Sequence, residues 1–316
     1  MLKREEAWLR ECYVDLLMEY AQKDERLVLL EADLMVAAGT KRFQEQFPAR
    51  VVDVGVAEAN MVGVAAGMSA MGKIPFAHTF TAFATRRACD QVTLSIAYAG
   101  LNLKLVGSDP SVTAELNGGT HMSMEDMSII RNIPNAVIFE PTDSAQLRKA
   151  FPQIMQHYGL LYLRLLRRAP HQIFDESSEF ELGKGIVLRE GKDVSILASG
   201  IMTAEAVMAA EILKQENIDA EVINIHTIKP LDTELVLRSA QKTKAVVTAE
   251  NHSILGGLGS SVAECLSENH PTILKRVGIQ DHFGEVGSTD FLMEKYGLKA
   301  ENIVAAAKKA IAMKTL

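Results

Sequence analysis

A lone acid stands where a strand pattern gives way to a helix pattern. Glu58 follows the apolar run Val51, Val52 and Val54 and precedes a stretch of small residues: Ala59, Gly63, Ala65, Ala66, Gly67 and Ala70. A helix N-terminus favours negative charge. Glu58 therefore reads either as a carboxylate satisfied by backbone N–H groups or as a buried acid that hydrogen-bonds or protonates a ligand nitrogen. The small residues let another backbone or subunit come close. A second strand pattern, 74–77, ends in His78, Thr79 and Phe80, with Phe83 behind it and Arg86-Arg87 opening a helix. Phe80 and Phe83 are core residues by default, or a platform for a flat ring just past the strand end. His121 lies in a glycine-bearing loop, Asn117-Gly118-Gly119-Thr120. Loops carry chemistry more often than their share, and a solvated histidine is the alternative. Arg167 and Arg168 follow another strand and could clamp an anion or decorate the surface. Gly256-Gly257 before a helix could seat a phosphate, but lacks the G-x-G-x-x-G spacing. H-E-x-x-H, C-x-x-C, G-x-S-x-G and Walker patterns do not occur, so zincin, redox, hydrolase-elbow and P-loop chemistry have no support.

The elements that must hold these groups alternate regularly. Helical periodicity covers 5–22, a strand covers 26–30 and runs into Glu31-Ala32-Asp33, and a helix follows the aromatic pair at 87–99. A strand at 101–106 opens into a long polar loop, 107–124, before a helix at 125–130, a strand at 137–140, a helix at 144–157 and a strand at 160–165. Between 169 and 184, Pro170, Asp175-Glu176-Ser177-Ser178 and Gly183 break the periodicity. Beyond it the pattern restarts with strands at 194–198, 220–224, 245–249 and 272–277 and helices at 203–215, 232–241, 260–267 and 300–313. This predicts an α/β fold of two parallel-sheet domains, 1–169 and 185–316, joined by a linker at 170–184.

Length agrees, since 316 residues suit about two domains. With 48% hydrophobic residues a normal core is available, and a net charge of −7 disfavours nucleic acid as a partner. Cys12, Cys89 and Cys265 have no metal-type spacing and read as reduced, buried thiols. The charged start, MLKREEAWLREC, has no signal-peptide core, and no apolar run approaches the roughly 20 residues of a membrane span. The expectation is a cytoplasmic protein with no membrane partner.

Taken together, the segments resemble the C-terminal half of transketolases, in particular the separate small subunit of split transketolases. The resemblance rests on EADL at 31–34, VGVAEANMVGVAAGM at 54–68, TFTAFATRRACDQV at 79–92, NGGTHMSMEDMSIIRNIPN at 117–135, TIKPLD at 227–232, AENHSILGGLGSSVAE at 249–264 and RVGIQDHFGEVGS at 276–288. It implies a thiamine diphosphate-binding pyrimidine domain followed by a transketolase C-terminal domain. Glu58 matches the glutamate that hydrogen-bonds the aminopyrimidine and stabilises the imino tautomer, whose nitrogen takes the thiazolium C2 proton. Phe83 matches the ring that stacks on the pyrimidine, with Phe80 beside it, and Arg86 belongs to the same cofactor segment. Asp33 matches an acid that helps fix the cofactor across a dimer interface. His121 matches a catalytic histidine that contacts the substrate oxygen.

The family's diphosphate domain carries a GDG motif that binds the metal, and no GDG triplet occurs here. The resemblance thus implies a half-site: a large subunit would supply the diphosphate contacts and the Mg2+ or Ca2+, in an α2β2 heterotetramer with a homodimeric core of this chain. Substrate-reading positions depart from the family pattern. An aspartate that reads the donor hydroxyl becomes Asn117, an amide that can donate as well as accept. Of the sugar-phosphate subsite, two arginines match Arg10 and Arg167, but the serine position falls on Ala37 and the histidine position on Asp109. An acid beside a phosphate is unfavourable by Coulomb sign, so the expected donor is an atypical ketose, or one whose phosphate sits differently. The alternatives are the β-subunit of a 2-oxoacid dehydrogenase, a deoxyxylulose-phosphate synthase-like enzyme, and a non-catalytic scaffold for a complete transketolase.

Overall fold

A computed structural model describes residues 2–314. The first sheet contains β1 (Leu27–Glu31), β2 (Val51–Asp53), β3 (Ile74–Phe80), β4 (Leu103–Ser108), β5 (Val137–Phe139) and β6 (Leu160–Leu165). The second contains β7 (Ile186–Arg189), β8 (Val194–Ala198), β9 (Ala220–Asn224), β11 (Ala245–Ser253) and β12 (Ile273–Ile279). A short strand between β9 and β11 in sequence, β10 (Thr227–Lys229), crosses over to join the first sheet antiparallel to β5. The orders are β10-β5-β6-β4-β3-β1-β2 and β12-β11-β8-β9-β7. Within each sheet every other pairing is parallel except β7 with β9.

Continuous apolar runs such as Leu27-Val28-Leu29-Leu30 form strands buried on both faces, as parallel sheets require. One face of the first sheet packs against helix Glu58–Ala70 through Met61, Val62 and Ala65. The other packs against helices Leu9–Lys23 and Ser144–Gln156 through Leu17, Phe76 and Phe151. The second sheet is covered by helices Met202–Gln215 and Ala300–Met313. Among the described residues no helix is long and apolar enough to cross a membrane.

Three local expectations differ from the structure. The first helix begins at Leu9 rather than residue 5, because Arg4 bridges to His171 and the Glu5 N–H donates to the Pro170 carbonyl, which holds that segment extended. The helix expected at 87–99 winds unevenly, with wide π-helical turns at Phe83–Arg87 and Val92–Tyr98 around a short α turn. The Thr85 and Thr93 hydroxyls each donate, at 2.7 Å, to the carbonyl four residues back, a competition that bends helices. Strands β7 and β10 had no alternating pattern to announce them, both lying at sheet edges.

Candidate functional site

The carboxyl ends of β1, β3, β4 and β6 carry Asp33, Phe80, Asp109 and Arg167, and this is the rim where open parallel sheets bind ligands. The chain turns sharply there. Asp33, Asp109, Ser111 and Glu115 take φ of +60°, +55°, +53° and +49°, left-handed values that non-glycine residues adopt only where the surroundings hold them.

Glu58 opens its helix and is 1% exposed. Its carboxylate is met by a side chain: Nη1 of Arg87 donates to both Oε1 (2.9 Å) and Oε2 (2.8 Å). The same guanidinium lies 4.1 Å from the ring centre of Phe83, in cation–π contact. Phe83 is half-buried, and Phe80 is buried behind it with the ring centres 6.3 Å apart. His121 presents an edge to both rings, at 5.2 Å to Phe83 and 6.0 Å to Phe80. Its Nδ1 is 2.9 Å from the Thr120 hydroxyl. Glu58, Phe80, Phe83 and His121 therefore converge on one spot. Arg86 points elsewhere, donating to Glu125 Oε1 at 2.8 Å and toward the Thr120 carbonyl at 3.4 Å. It braces the His121 loop, whereas Arg87, not singled out in the sequence, faces Glu58. The carboxylate and Phe83 suit a flat heteroaromatic ring with a nitrogen donor, so Glu58 and Phe83 fit an aminopyrimidine.

The loop that carries His121 needs its glycines. Gly118 has φ +74°, and a Cβ on Gly119 would lie 2.2 Å from the Gly284 carbonyl oxygen. The RVGIQDHFGEVGS segment is thus pressed against the NGG turn, and the second domain fixes the histidine loop of the first. Asn117 on this loop is exposed and points no side-chain bond at the aromatic group. Asp33 is also exposed, and its backbone N–H donates to Asp53 Oδ1 at 3.0 Å.

A cationic group adjoins the rings. Arg167 lies 5.8 Å from the ring centre of Phe80 and pairs with Asp109 through Nη2–Oδ2 at 2.9 Å. Arg10 donates to the Ala37 carbonyl and lies over Trp8 at 4.4 Å, while Arg168 approaches the same indole at 4.9 Å and pairs with Glu115 at 2.5 Å. Burial, then the like charge of Arg167, holds Arg10 below its ordinary value. Asp109 is fully buried, and burial pushes its carboxyl up to about 6 against the pull of Arg167 and Arg168. Arg10, Arg167 and Asp109 are therefore neighbours, with Trp8 as an unforeseen platform. A cavity of about 380 Å³ between the domains, lined by Trp8, Glu115, Arg168, His171 and Asp290, opens beside them.

Two further acids explain motifs without entering this site. The Leu258 and Gly259 N–H groups after Gly256-Gly257 donate to the Glu250 carboxylate at 2.7 and 2.8 Å. That helix start is already capped by the chain's own acid, so the phosphate seat considered for the glycine pair is taken. Behind the rim, His78 Nδ1 is 3.7 Å from Glu31 Oε1. Burial pushes Glu31 up to about 8 and His78 down to about 3, so the pair is neutral near pH 7 rather than ionic. Cys12, Cys89 and Cys265 are all free thiols, but Cys89 is only half-buried, where burial was expected.

The family model described as the transketolase pyrimidine binding domain matches residues 6–171, and that for the transketolase C-terminal domain matches residues 183–303. The 6-deoxy-6-sulfo-D-fructose transketolase subunit SqwH of Clostridium sp. (strain MSTE9) is 67% identical over 306 residues, covering 97% of this chain and 95% of that protein. A solved structure described as a split gene transketolase, inactive beta4 tetramer, superimposes with a TM-score of 0.88 at 44% identity, over 96% of this chain and 98% of the other. The 1-deoxy-D-xylulose-5-phosphate synthase of Syntrophotalea carbinolica (strain DSM 2380 / NBRC 103641 / GraBd1) is 35% identical over 91% of this chain, which spans 46% of that enzyme.

Proposed function

The chain belongs to the transketolase family, and we propose that it is the small subunit of a split transketolase whose donor is a ketose ending in a sulfonate. The observation that carries this reading is the position of the Arg167–Asp109 pair one aromatic ring away from the Glu58, Phe83 and His121 group. A ligand ring held by Glu58 and Phe83 would face a sugar whose far end lies among the arginines.

The side chains divide the work. Glu58, kept from water, accepts a hydrogen bond from the one ring nitrogen it faces when that nitrogen carries a proton, and low local dielectric strengthens that bond and so favours the protonated form. Phe83 supports the ring face, backed by Phe80. His121 hydrogen-bonds the reacting substrate oxygen and can hold or release a proton there. Arg10 and Arg167 hold the terminal anion, and Asn117 reads a donor hydroxyl. Thiamine diphosphate, when bound, supplies the nucleophilic carbon that accepts the two-carbon unit. Its diphosphate and divalent metal fall to a large subunit, in an α2β2 assembly built on a pair of these chains.

A sulfonate suits Asp109 where a phosphate does not. The sulfonate is a fixed monoanion, whereas a phosphate monoester near pH 7 carries roughly −1.5 to −2. A carboxylate behind the arginines lowers the positive charge available and penalises the second negative charge. The 67% identical relative, named for a sulfofructose, agrees in substrate class. The synthase reading has less support, at 35% identity.

The test is co-expression with a large subunit carrying a GDG motif, followed by thiamine diphosphate-dependent transfer from 6-deoxy-6-sulfofructose, fructose 6-phosphate and xylulose 5-phosphate. The expected result is transfer only with both chains present and the best specificity constant for the sulfonate. Xylulose 5-phosphate as best donor would refute the substrate class, and turnover of pyruvate would move the chain to the synthase or oxoacid class.

A further inference from the structure

Glu58 and Phe83 are the two groups that would hold a flat amidine-like ring, and a side chain of the same protein already engages both. Arg87 bridges the two carboxylate oxygens at 2.8 and 2.9 Å and lies 4.1 Å from the Phe83 ring centre. A guanidinium is planar, cationic and rich in N–H donors, so it offers the same two contacts as an aminopyrimidine whose ring nitrogen carries a proton: a flat face and an N–H donor to a carboxylate. Glu58 is almost wholly buried, and a carboxylate left there without a partner costs more than an exposed one. Arg87 itself is 45% exposed, so it has room to swing away when another group takes its place. Its neighbour Arg86 is tied to Glu125 and the histidine loop and cannot substitute for it.

We propose that Arg87 is an internal stand-in for the cofactor's aminopyrimidine, keeping Glu58 paired while the half-site is unfilled and yielding both contacts when the cofactor is bound. The proposal rests on the functional reading above. Arg87 is then a positioning residue that competes with the cofactor. If the plugged arrangement is populated about 90% of the time, apparent affinity is lowered about tenfold relative to an open site.

The variants Arg87→Ala and Arg87→Lys test this with two readouts that need no turnover. One is equilibrium binding of thiamine diphosphate to the co-expressed two-subunit protein, followed by intrinsic fluorescence. The other is the melting temperature of the small subunit alone. The expected result has opposite signs: Arg87→Ala binds cofactor about tenfold more tightly yet melts lower as the free chain, and Arg87→Lys, lacking the planar fork, falls between. A structural role alone would weaken both. Weaker or unchanged binding by Arg87→Ala, with wild type binding normally, would overturn the proposal. If neither protein bound the cofactor, the functional reading would fall, and the proposal with it. If the variant chain failed to fold, Arg87→Lys, which keeps the charge, would decide, with unchanged affinity counting against the stand-in.

Discussion

Replacing Asp109 by asparagine keeps the shape of a buried side chain and removes one negative charge beside Arg167. Burial holds the Asp109 carboxyl near 6, so above that pH it is ionised in the folded protein and takes a proton below it. A unit charge roughly 6 Å away contributes about 3 kcal/mol at an effective dielectric of about 20. On the proposed reading Arg167, 2.9 Å from the carboxylate, would stand between Asp109 and the sugar's anion, and its opposing charge would roughly halve what a ligand feels. At pH 7.5 a phosphate donor carries nearly one charge more than a sulfonate donor. The selectivity set by Asp109 is then about 1.4 kcal/mol, a factor of about ten. Asp109→Asn should lower the ratio of specificity constants, 6-deoxy-6-sulfofructose over fructose 6-phosphate, about tenfold, chiefly by improving KM for the phosphate. In the wild type the ratio should also fall as the pH drops through 6, because Asp109 and the phosphate each gain a proton. The variant, with no carboxylate to penalise the phosphate's second charge, should not show that fall. Equal losses for both donors, with the ratio fixed, would refute the charge argument and leave Asp109 as a brace for Arg167.

Three other outcomes are expected. Glu58→Gln should lower turnover of the two-subunit enzyme by about 100-fold or more while the assembly stays intact by size-exclusion chromatography; a scaffold would keep full activity in its partner. Gly119→Ala places a Cβ 2.2 Å from the Gly284 oxygen, so the loop must shift, and kcat should fall about 100-fold with little change in circular dichroism. Glu31 is pushed up to about 8 by burial, so its contribution to stability is complete below 4.5 and is lost as the pH rises through 8. Among its neighbours, Asp53 raises Glu31 further, the Thr40 hydroxyl lowers it, and His78 is neutral over this range. The melting temperature of Glu31→Gln should therefore gain on wild type between pH 5 and 9, and a constant gap would refute that assignment.

What could be read in the sequence divides along physical lines. Regular elements announce themselves because burial repeats with their period: the short apolar run Leu27-Val28-Leu29-Leu30 suits a strand buried on both faces, and helix Ser144–Gln156 follows its apolar stripe. Edge strands escape because half their environment is solvent, as with β7, whose four residues are all half-buried. Asp33 and Asp109 were singled out by the family resemblance, whereas Phe80 and Arg167 were legible as site candidates because strand ends are where parallel sheets open. Arg87 was not. Adjacent residues on a regular helix diverge by about 100°, and which arginine faces Glu58 depends on the wide winding at Phe83–Arg87. Within that winding the Thr85 hydroxyl donates to the Thr81 carbonyl, and threonine at helical spacing gives no hint of which partner it will choose. Wide turns recur at functional sites. Here the turn has a consequence for the chemistry: it brings Arg87 onto the carboxylate and the ring together, while Arg86 is left to hold the histidine loop.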